Sequence, residues 1–181
     1  MPIIQLWDNI KHMSKQIIKP VNIISILVKK ARGEEKRIGL ITGCFDILHM
    51  DHINLFRFAK KRVDVLIVGV ENDASIKISK GIHRPLNKLE ERMKFLSELS
   101  LIDYIFPITN VYSFNSNEAA KVHKDLLKKI NPGYLITRTV ADKYWKNKKK
   151  IAEELGIIFL PDKGRKMSSS SRIIEKLEKQ I

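Results

Sequence analysis

The chain has 181 residues, 44% hydrophobic and 30% charged, with one cysteine and a formal net charge of +14. That length suits one domain with a small appendage, and the apolar share excludes wholesale disorder. One cysteine excludes an internal disulfide, no apolar run approaches the roughly 18 residues of a membrane span, and Asp8 interrupts the N-terminus too early for a signal peptide, so a cytoplasmic protein is expected.

In chain order, Ile3, Ile4, Leu6, Trp7, Ile10, Ile17 and Ile18 suggest an amphipathic helix that Pro20 breaks. "NIISILVKKAR" suggests a second helix with Asn22 as its cap. Five short β-type runs follow: "IGLIT" (38–42), "DVLIVGV" (64–70), "DYIFPI" (103–108), "GYLIT" (133–137) and "GIIFLP" (156–161). Between them, 51–61, 87–99, 116–130 and 142–155 have helical spacing, and 170–180 reads as a last helix. The helix at 116–130 starts at Ser116 or Asn117, carries Lys in its last turn and stops at Asn-Pro-Gly. This alternation predicts an α/β fold: a doubly wound, Rossmann-like, five-stranded parallel sheet with helices on both faces. Residues 38–181 would form that domain and 1–37 an N-terminal helical extension.

The excess charge lies at the two ends: 1–37 carry eight basic and three acidic groups, 138–181 twelve and six, and the middle fourteen and eleven. An anionic partner, polyphosphate or nucleic acid, is one reading; a solvated Lys-rich surface is the other. Aromatic residues interleave the charges only in "KYWKNKKK" (143–150), so nucleic acid is not the expected partner.

In doubly wound sheets the ligand lies beyond the carboxyl ends of the strands. "GCFDILHMDH" (43–52) follows the first strand and so occupies that edge. A helix beginning near Met50 or Asp51 puts His49 at its mouth and His52 in its first turn, where unpaired N–H groups favour anions. Gly43 lets backbone approach a ligand closely, and two imidazoles can donate hydrogen bonds to phosphate oxygens. The plainer alternative is one His capping the helix and the other at the surface. Zinc would need a third His or Cys at suitable spacing, and none is present. The serine run at 168–171 is a natural N-cap, though a cap needs only one Ser.

"GCFDILHMDH" resembles the G-x-F-D-x-x-H-x-G-H motif of the nucleotidyltransferase superfamily with cytidylyltransferase-like fold. Residues 63–99 closely resemble the adenylyltransferase domain of bacterial ADP-heptose synthases, which carries a similar N-D-A-S, K-G, R-P-x-N and E-x-R-M series in the same order. "INPGYLIT" and "SSSSRIIEKL" extend the likeness over about residues 36–180. The resemblance implies transfer of AMP or CMP from ATP or CTP to a phosphorylated small molecule, a sugar phosphate or polyol phosphate, with release of pyrophosphate. It implies Mg²⁺ held mainly by the phosphates, no membrane, and leaves a homodimer open. His49 and His52 would stabilise the attacked α-phosphate, Lys80 would neutralise phosphate charge, and Arg92 matches an arginine that binds nucleotide phosphates. Arg92 also has a structural alternative, a salt bridge from its helix to a neighbouring acid. Gly43 and the backbone near Cys44 and Phe45 would line the phosphates. Asp46 would face the acceptor or orient the loop. Ser169, Ser170 and Ser171 would hold phosphate. Cys44 would be a loop-packing residue.

Two departures stand out. The motif's second glycine is Asp51 here, and after the fourth strand "TRTVADKYWKNKKK" replaces K-G-x-D-Y. Asp51 is expected to cap the helix beside it, with its charge offset by a Lys or Arg, and so to compete with nucleotide. Arg138, Asp142, Lys143 and Tyr144 could hold a phosphorylated acceptor, or could be ordinary polar residues at a helix start. Two other functions stay open: a nucleotide-binding regulatory protein without turnover, favoured by Asp51, and a nucleic-acid-binding protein using the basic ends.

Overall fold

The computed structural model describes residues 17–170 together with 173 and 174. The reading of residues 1–16, most of the last helix and Ser171 lie outside the described residues. The elements in order are α1 (Val21–Gly33), β1 (Ile38–Gly43), α2 (Met50–Lys60), β2 (Val65–Glu71), α3 (Asp73–Lys80), α4 (Leu89–Ser97), β3 (Tyr104–Ile108), α5 (Asn117–Ile130), β4 (Tyr134–Arg138), α6 (Trp145–Glu154) and β5 (Ile158–Asp162).

All four strand pairings are parallel, in the order β3-β2-β1-β4-β5. The chain winds outward from β1 through β2 to β3, then returns to place β4 on the other side of β1. The direction of winding therefore reverses between β1 and β4, and a crevice opens at that point. The inner strands are apolar without alternation because both faces are covered: Leu40, Leu66, Ile67 and Val68 are fully buried. One face packs Leu55, Phe56 and Ala59 of α2 with Met93 and Leu96 of α4. The other packs Val122 and Leu127 of α5 and Ile151 of α6 with Ile24 and Val28 of α1. Each such side chain contributes about 1.5–3 kcal/mol by leaving water. α1 thus shares the core of the sheet, and Ile18 bridges to Ile105 on β3.

Local chemistry sets the boundaries. Ser116 is the N-cap of α5, its hydroxyl accepting from Ala119 N at 3.1 Å, and Asn131 ends the helix in left-handed geometry at φ 52°. α1 differs from expectation: it starts at Val21 with Pro20 as N-cap, and Asn22 lies inside its first turn. α3 has too short an apolar stripe to show periodicity. It forms because Asn72 caps it, accepting from Ser75 N at 2.8 Å, while the Asn72 amide donates to Ile108 O at 3.1 Å.

The largest fully buried side chain is Arg92 of α4. Its guanidinium donates to Asn87 O at 3.0 Å, to Glu71 O at 2.7 Å, to Asp73 Oδ1 at 2.7 Å and to Cys44 O. It therefore fastens the ends of β1 and β2 and the loop before α4 to one point. Replacing Arg92 by Met leaves three carbonyls without their donor and should destabilise the chain by about 3 kcal/mol or more. Urea denaturation reads this; a midpoint unchanged from wild type would show that the brace is dispensable.

Candidate active site

A cavity of about 950 Å³ runs along the carboxyl ends of β1, β2 and β4. Gly43, Cys44, Phe45, His49, His52 and Lys80 line it, as do Arg138, Asp142, Ser169 and Ser170. These ten sequence-predicted residues thus meet in one place, together with Lys143 and Tyr144.

The turn after β1 shapes the wall. Phe45 has φ 51°, and its ring sits where a Cβ on Gly43 would be, 2.9 Å from Phe45 Cζ. Gly43 makes room for the Phe45 ring in this close approach. The Phe45 ring packs edge-on against His52, with centroids 5.2 Å apart, and tilts against Phe56. His49 is the N-cap of α2 and His52 is in its first turn. The two imidazoles stack with centroids 3.9 Å apart, and neither Nδ1 has a hydrogen-bond partner among the described residues. Burial, and secondarily the neighbouring His49, push the His52 pKa down to about 3. Burial also lowers that of His49. Both rings are therefore neutral near pH 7 and act as dipoles rather than as cations. Burial raises the Cys44 thiol pKa against the opposing pull of Lys80, which keeps the sulfur protonated and fits loop packing.

Two predicted residues stand elsewhere. Arg92 does not line the cavity: its donors are spent on the backbone brace and on Asp73, the ion pair that its structural alternative anticipated. Asp46 is 2% exposed and accepts from Arg84 Nε at 2.7 Å, Leu86 N at 2.9 Å and Asn87 N at 3.0 Å. It orients the loop and does not face the cavity.

Asp51 corrects the expectation made for it. It lies within the first turn of α2, is 2% exposed and makes no cap bond. Its Oδ2 instead accepts from Met167 N at 2.9 Å and Ser168 N at 3.0 Å, and its Oδ1 lies 3.4 Å from Arg138 Nη2. Burial alone would raise its pKa; the N–H groups of Ser168 and Met167, then Arg138, hold it below the usual value. The charge is offset by an arginine, as expected, but the carboxylate is a tether for the chain after β5. Arg138 continues the tether: Nη1 meets Asp162 Oδ2 at 2.5 Å and Nη2 donates to Arg165 O at 2.6 Å. The strap 163–170 is so drawn across the sheet edge, and Ser170 Oγ donates to Ile47 O at 3.2 Å. Lys166, which the sequence reading passed over, and Ser168, the first of the serine run, join the lining through this strap.

Asp142 is held locally. It accepts from Tyr144 N at 2.8 Å and from Lys148 Nζ at 2.7 Å, and Lys148 offsets the burial that would otherwise raise its pKa. Trp145 of the basic run stacks on Phe159 of β5 rather than standing free. Glu71 and His123 also line the cavity and were missed. Glu71 was legible in principle, as an acid closing an apolar strand at the ligand edge. Among the described residues, no group of three or more His, Cys, Asp or Glu could hold a metal ion, and no helix is long and apolar enough to cross a membrane.

The cytidylyltransferase-like family model matches residues 40–176. The bifunctional protein HldE of Desulfatibacillum aliphaticivorans is 33% identical over 163 residues, 87% of this chain and 30% of that protein. HldE of Haemophilus influenzae strain PittEE is 49% identical over 80 residues, 44% of this chain and 16% of its own. The chain thus spans under a third of the length of these curated relatives. Among solved structures, pantoate-beta-alanine ligase from Francisella tularensis, complexed with beta-gamma ATP and beta-alanine, superposes with TM-score 0.65 at 17% identity, covering 89% of this chain and 73% of that one. The lipopolysaccharide core biosynthesis protein from Thermoplasma volcanium GSS1 gives 0.54 at 22%, covering 72% and 99%. At those identities the likeness concerns the fold.

Two outcomes are expected. Asp51→Gly, which restores the motif glycine, should loosen the strap: nucleotide affinity falls rather than rises, and trypsin cuts faster after Lys163, Arg165 or Lys166. Equal affinity and equal cutting would show that the strap does not depend on the tether. The second concerns pH. The folded chain withholds from His52 a proton that the unfolded chain binds below about 6.5, so this site's stability is present above that pH and lost as pH falls toward about 3. The slope is at most about 1.4 kcal/mol per pH unit. Melting temperature should drop more steeply with acid in wild type than in His52→Asn; parallel curves would mean that His52 takes up no proton on unfolding.

Proposed function

Because this chain belongs to the cytidylyltransferase-like family, we propose that it moves AMP or CMP from ATP or CTP onto the phosphate of a sugar phosphate or polyol phosphate, releasing pyrophosphate. The domain is that of a nucleotidyltransferase, and the family implies a nucleoside triphosphate substrate. The observation that carries the reading is the stacked His49–His52 pair at the N-terminus of α2, facing Lys80 and the serine strap across one cavity.

The chemistry asks little of the protein beyond placement. An acceptor phosphate has a second pKa near 6 and is already dianionic at neutral pH, so no general base is needed. One of its oxygens attacks the α-phosphorus, the bond to the bridging oxygen of the β-phosphate breaks, and pyrophosphate leaves in line. No covalent bond to the chain forms. His49 and His52 supply neutral N–H donors to the α-phosphate oxygens. The first-turn N–H groups of α2 add the positive end of a helix dipole. Lys80 and Lys166 supply mobile cationic charge, and the serines supply hydroxyl donors. Mg²⁺ would be held mainly by the nucleotide phosphates, which suits a cavity whose carboxylates Asp51, Glu71 and Asp142 each have a protein partner. Fixed donors aimed at charge that grows during reaction are worth more in such a partly dry site than in water.

The likeness of residues 63–99 to the adenylyltransferase domain of ADP-heptose synthases supports a sugar phosphate as the acceptor. His49→Ala and His52→Ala should each lower turnover by roughly 10²-fold, with nucleotide affinity reduced much less. Pyrophosphate release, followed with ATP or CTP and a panel of sugar phosphates, reads the first; calorimetry reads the second. Near-wild-type release by either variant would remove that imidazole from the transition state.

A further inference from the structure

The cavity has a second end, at the carboxyl end of β2 and beside α5, where Glu71 and His123 are residues that the mechanism above does not use. Glu71, the last residue of β2, is 5% exposed and lines the cavity together with His123 of α5. Tyr112, buried in the loop after β3, donates its hydroxyl to Glu71 Oε2 at 2.7 Å. His123 Nε2 lies 3.3 Å from the Tyr112 oxygen and 3.5 Å from Glu71 Oε1. Phe114 and Tyr144, also in the lining, meet edge to face with centroids 6.3 Å apart. Thr42 joins His123 and Lys148 around an adjoining recess, and its hydroxyl oxygen has no partner among the described residues.

A carboxylate offers about four acceptor sites, and among the described residues Tyr112 and His123 are the side chains that reach that of Glu71. Burying it so thinly paired is costly unless a ligand completes the set. The completing ligand must bring O–H or N–H donors. It cannot bring a phosphate to this end, since a carboxylate repels one at close range. The aromatic pair adds an apolar wall for ring or chain carbons. These conditions describe the uncharged, hydroxyl-bearing part of a molecule whose phosphate lies elsewhere.

Sheet order says which molecule. β4, β5 and the strap, with Arg138, Lys166 and the serines, stand on one side of β1; Glu71 and Lys80 stand on the other. Displacement at phosphorus is in line, so the incoming oxygen arrives opposite the departing pyrophosphate. The strap brings the Lys166 ammonium and a run of serine hydroxyls, the donor set that suits departing pyrophosphate, so the acceptor comes from the Lys80–Glu71 side. We propose that Glu71, held by Tyr112 and His123, forms a hydroxyl-recognition subsite for the carbon skeleton of a polyhydroxylated acceptor phosphate. The assignment rests on the transfer reading, which it deepens.

The test uses the full chain as wild type, Glu71→Gln, Tyr112→Phe and His123→Gln. Each is saturated with a non-hydrolysable ATP or CTP analogue and titrated by calorimetry with glucose 1-phosphate, a heptose 1-phosphate, glycerol 3-phosphate and inorganic phosphate. In wild type at least one organic phosphate should bind roughly 10-fold or more tighter than inorganic phosphate, as a site built to hydrogen-bond hydroxyls requires. Glu71→Gln should erase that preference while analogue affinity stays within about twofold. Tyr112→Phe and His123→Gln, which leave the carboxylate in place, should reduce the preference and serve if Glu71→Gln does not fold. A preference that survives all three substitutions overturns the proposal. So does its absence from wild type, or a loss of analogue affinity instead, which would give this end to the nucleobase. Pyrophosphate release is followed in parallel. Release with the preference untouched sinks the subsite alone, whereas no release with any acceptor sinks the transfer reading.

Discussion

One buried guanidinium holds the working edge of this molecule together. The residues that line the cavity sit on loops beyond β1 and β2, and loops are the least constrained part of an α/β sheet. Arg92 removes that freedom by drawing Cys44 O, Glu71 O and Asn87 O onto a single planar group. A buried charge is tolerated only when its donors are matched, so the three loops must close together or the guanidinium is left stranded. Asp46 repeats the logic with opposite polarity: its carboxylate gathers N–H groups of Leu86 and Asn87, locking the turn after β1 to the loop before α4. The imidazoles at the mouth of α2 stand on this double lock.

A second set of charges works on the other side of β1. Arg138 lies between Asp51 and Asp162, and the three together tie α2, β4, β5 and the strap. A carboxylate where related motifs have glycine would repel a triphosphate if it were free. Here its oxygens are taken by two backbone N–H groups and an arginine. The consequence is a division of labour. Many of the strongest charges at the sheet edge are spent on architecture. The attraction left for an anionic ligand comes from Lys80, Lys166, a helix N-terminus and the basic excess of the whole chain. The histidines, neutral through burial, contribute direction rather than charge.

The five strands, their parallel arrangement and five of the described helices are legible in local pattern, because apolar runs bounded by turn residues and stripes of period 3.6 are properties of neighbouring residues. So is the place of the site, since a doubly wound sheet puts its crevice at the carboxyl edge and the His49–His52 motif follows the first strand. The helix α3 escaped because its eight residues are too few to show a stripe of period 3.6, although its cap, Asn72 accepting from Ser75 N, is local.

What the sequence by itself determined, then, is the sheet, the edge and the pair of imidazoles at a helix mouth. It could not determine which polar residues near that edge face a ligand and which hold the frame. Arg92 reads as a phosphate ligand or a salt-bridge partner, Asp46 as facing the acceptor or orienting the loop, and Asp51 as a cap; in the fold each is consumed by partners far along the chain, Arg92 by Cys44, 48 residues away, and Asp51 by Ser168, 117 residues away. Glu71 closes an apolar strand at the ligand edge, but its pairing with His123 is not legible, because the two meet only where α5 packs beside the end of β2. Whether a buried charge serves a ligand or the fold depends on who satisfies its hydrogen bonds, and only the folded chain brings those partners within 3 Å or so of one another.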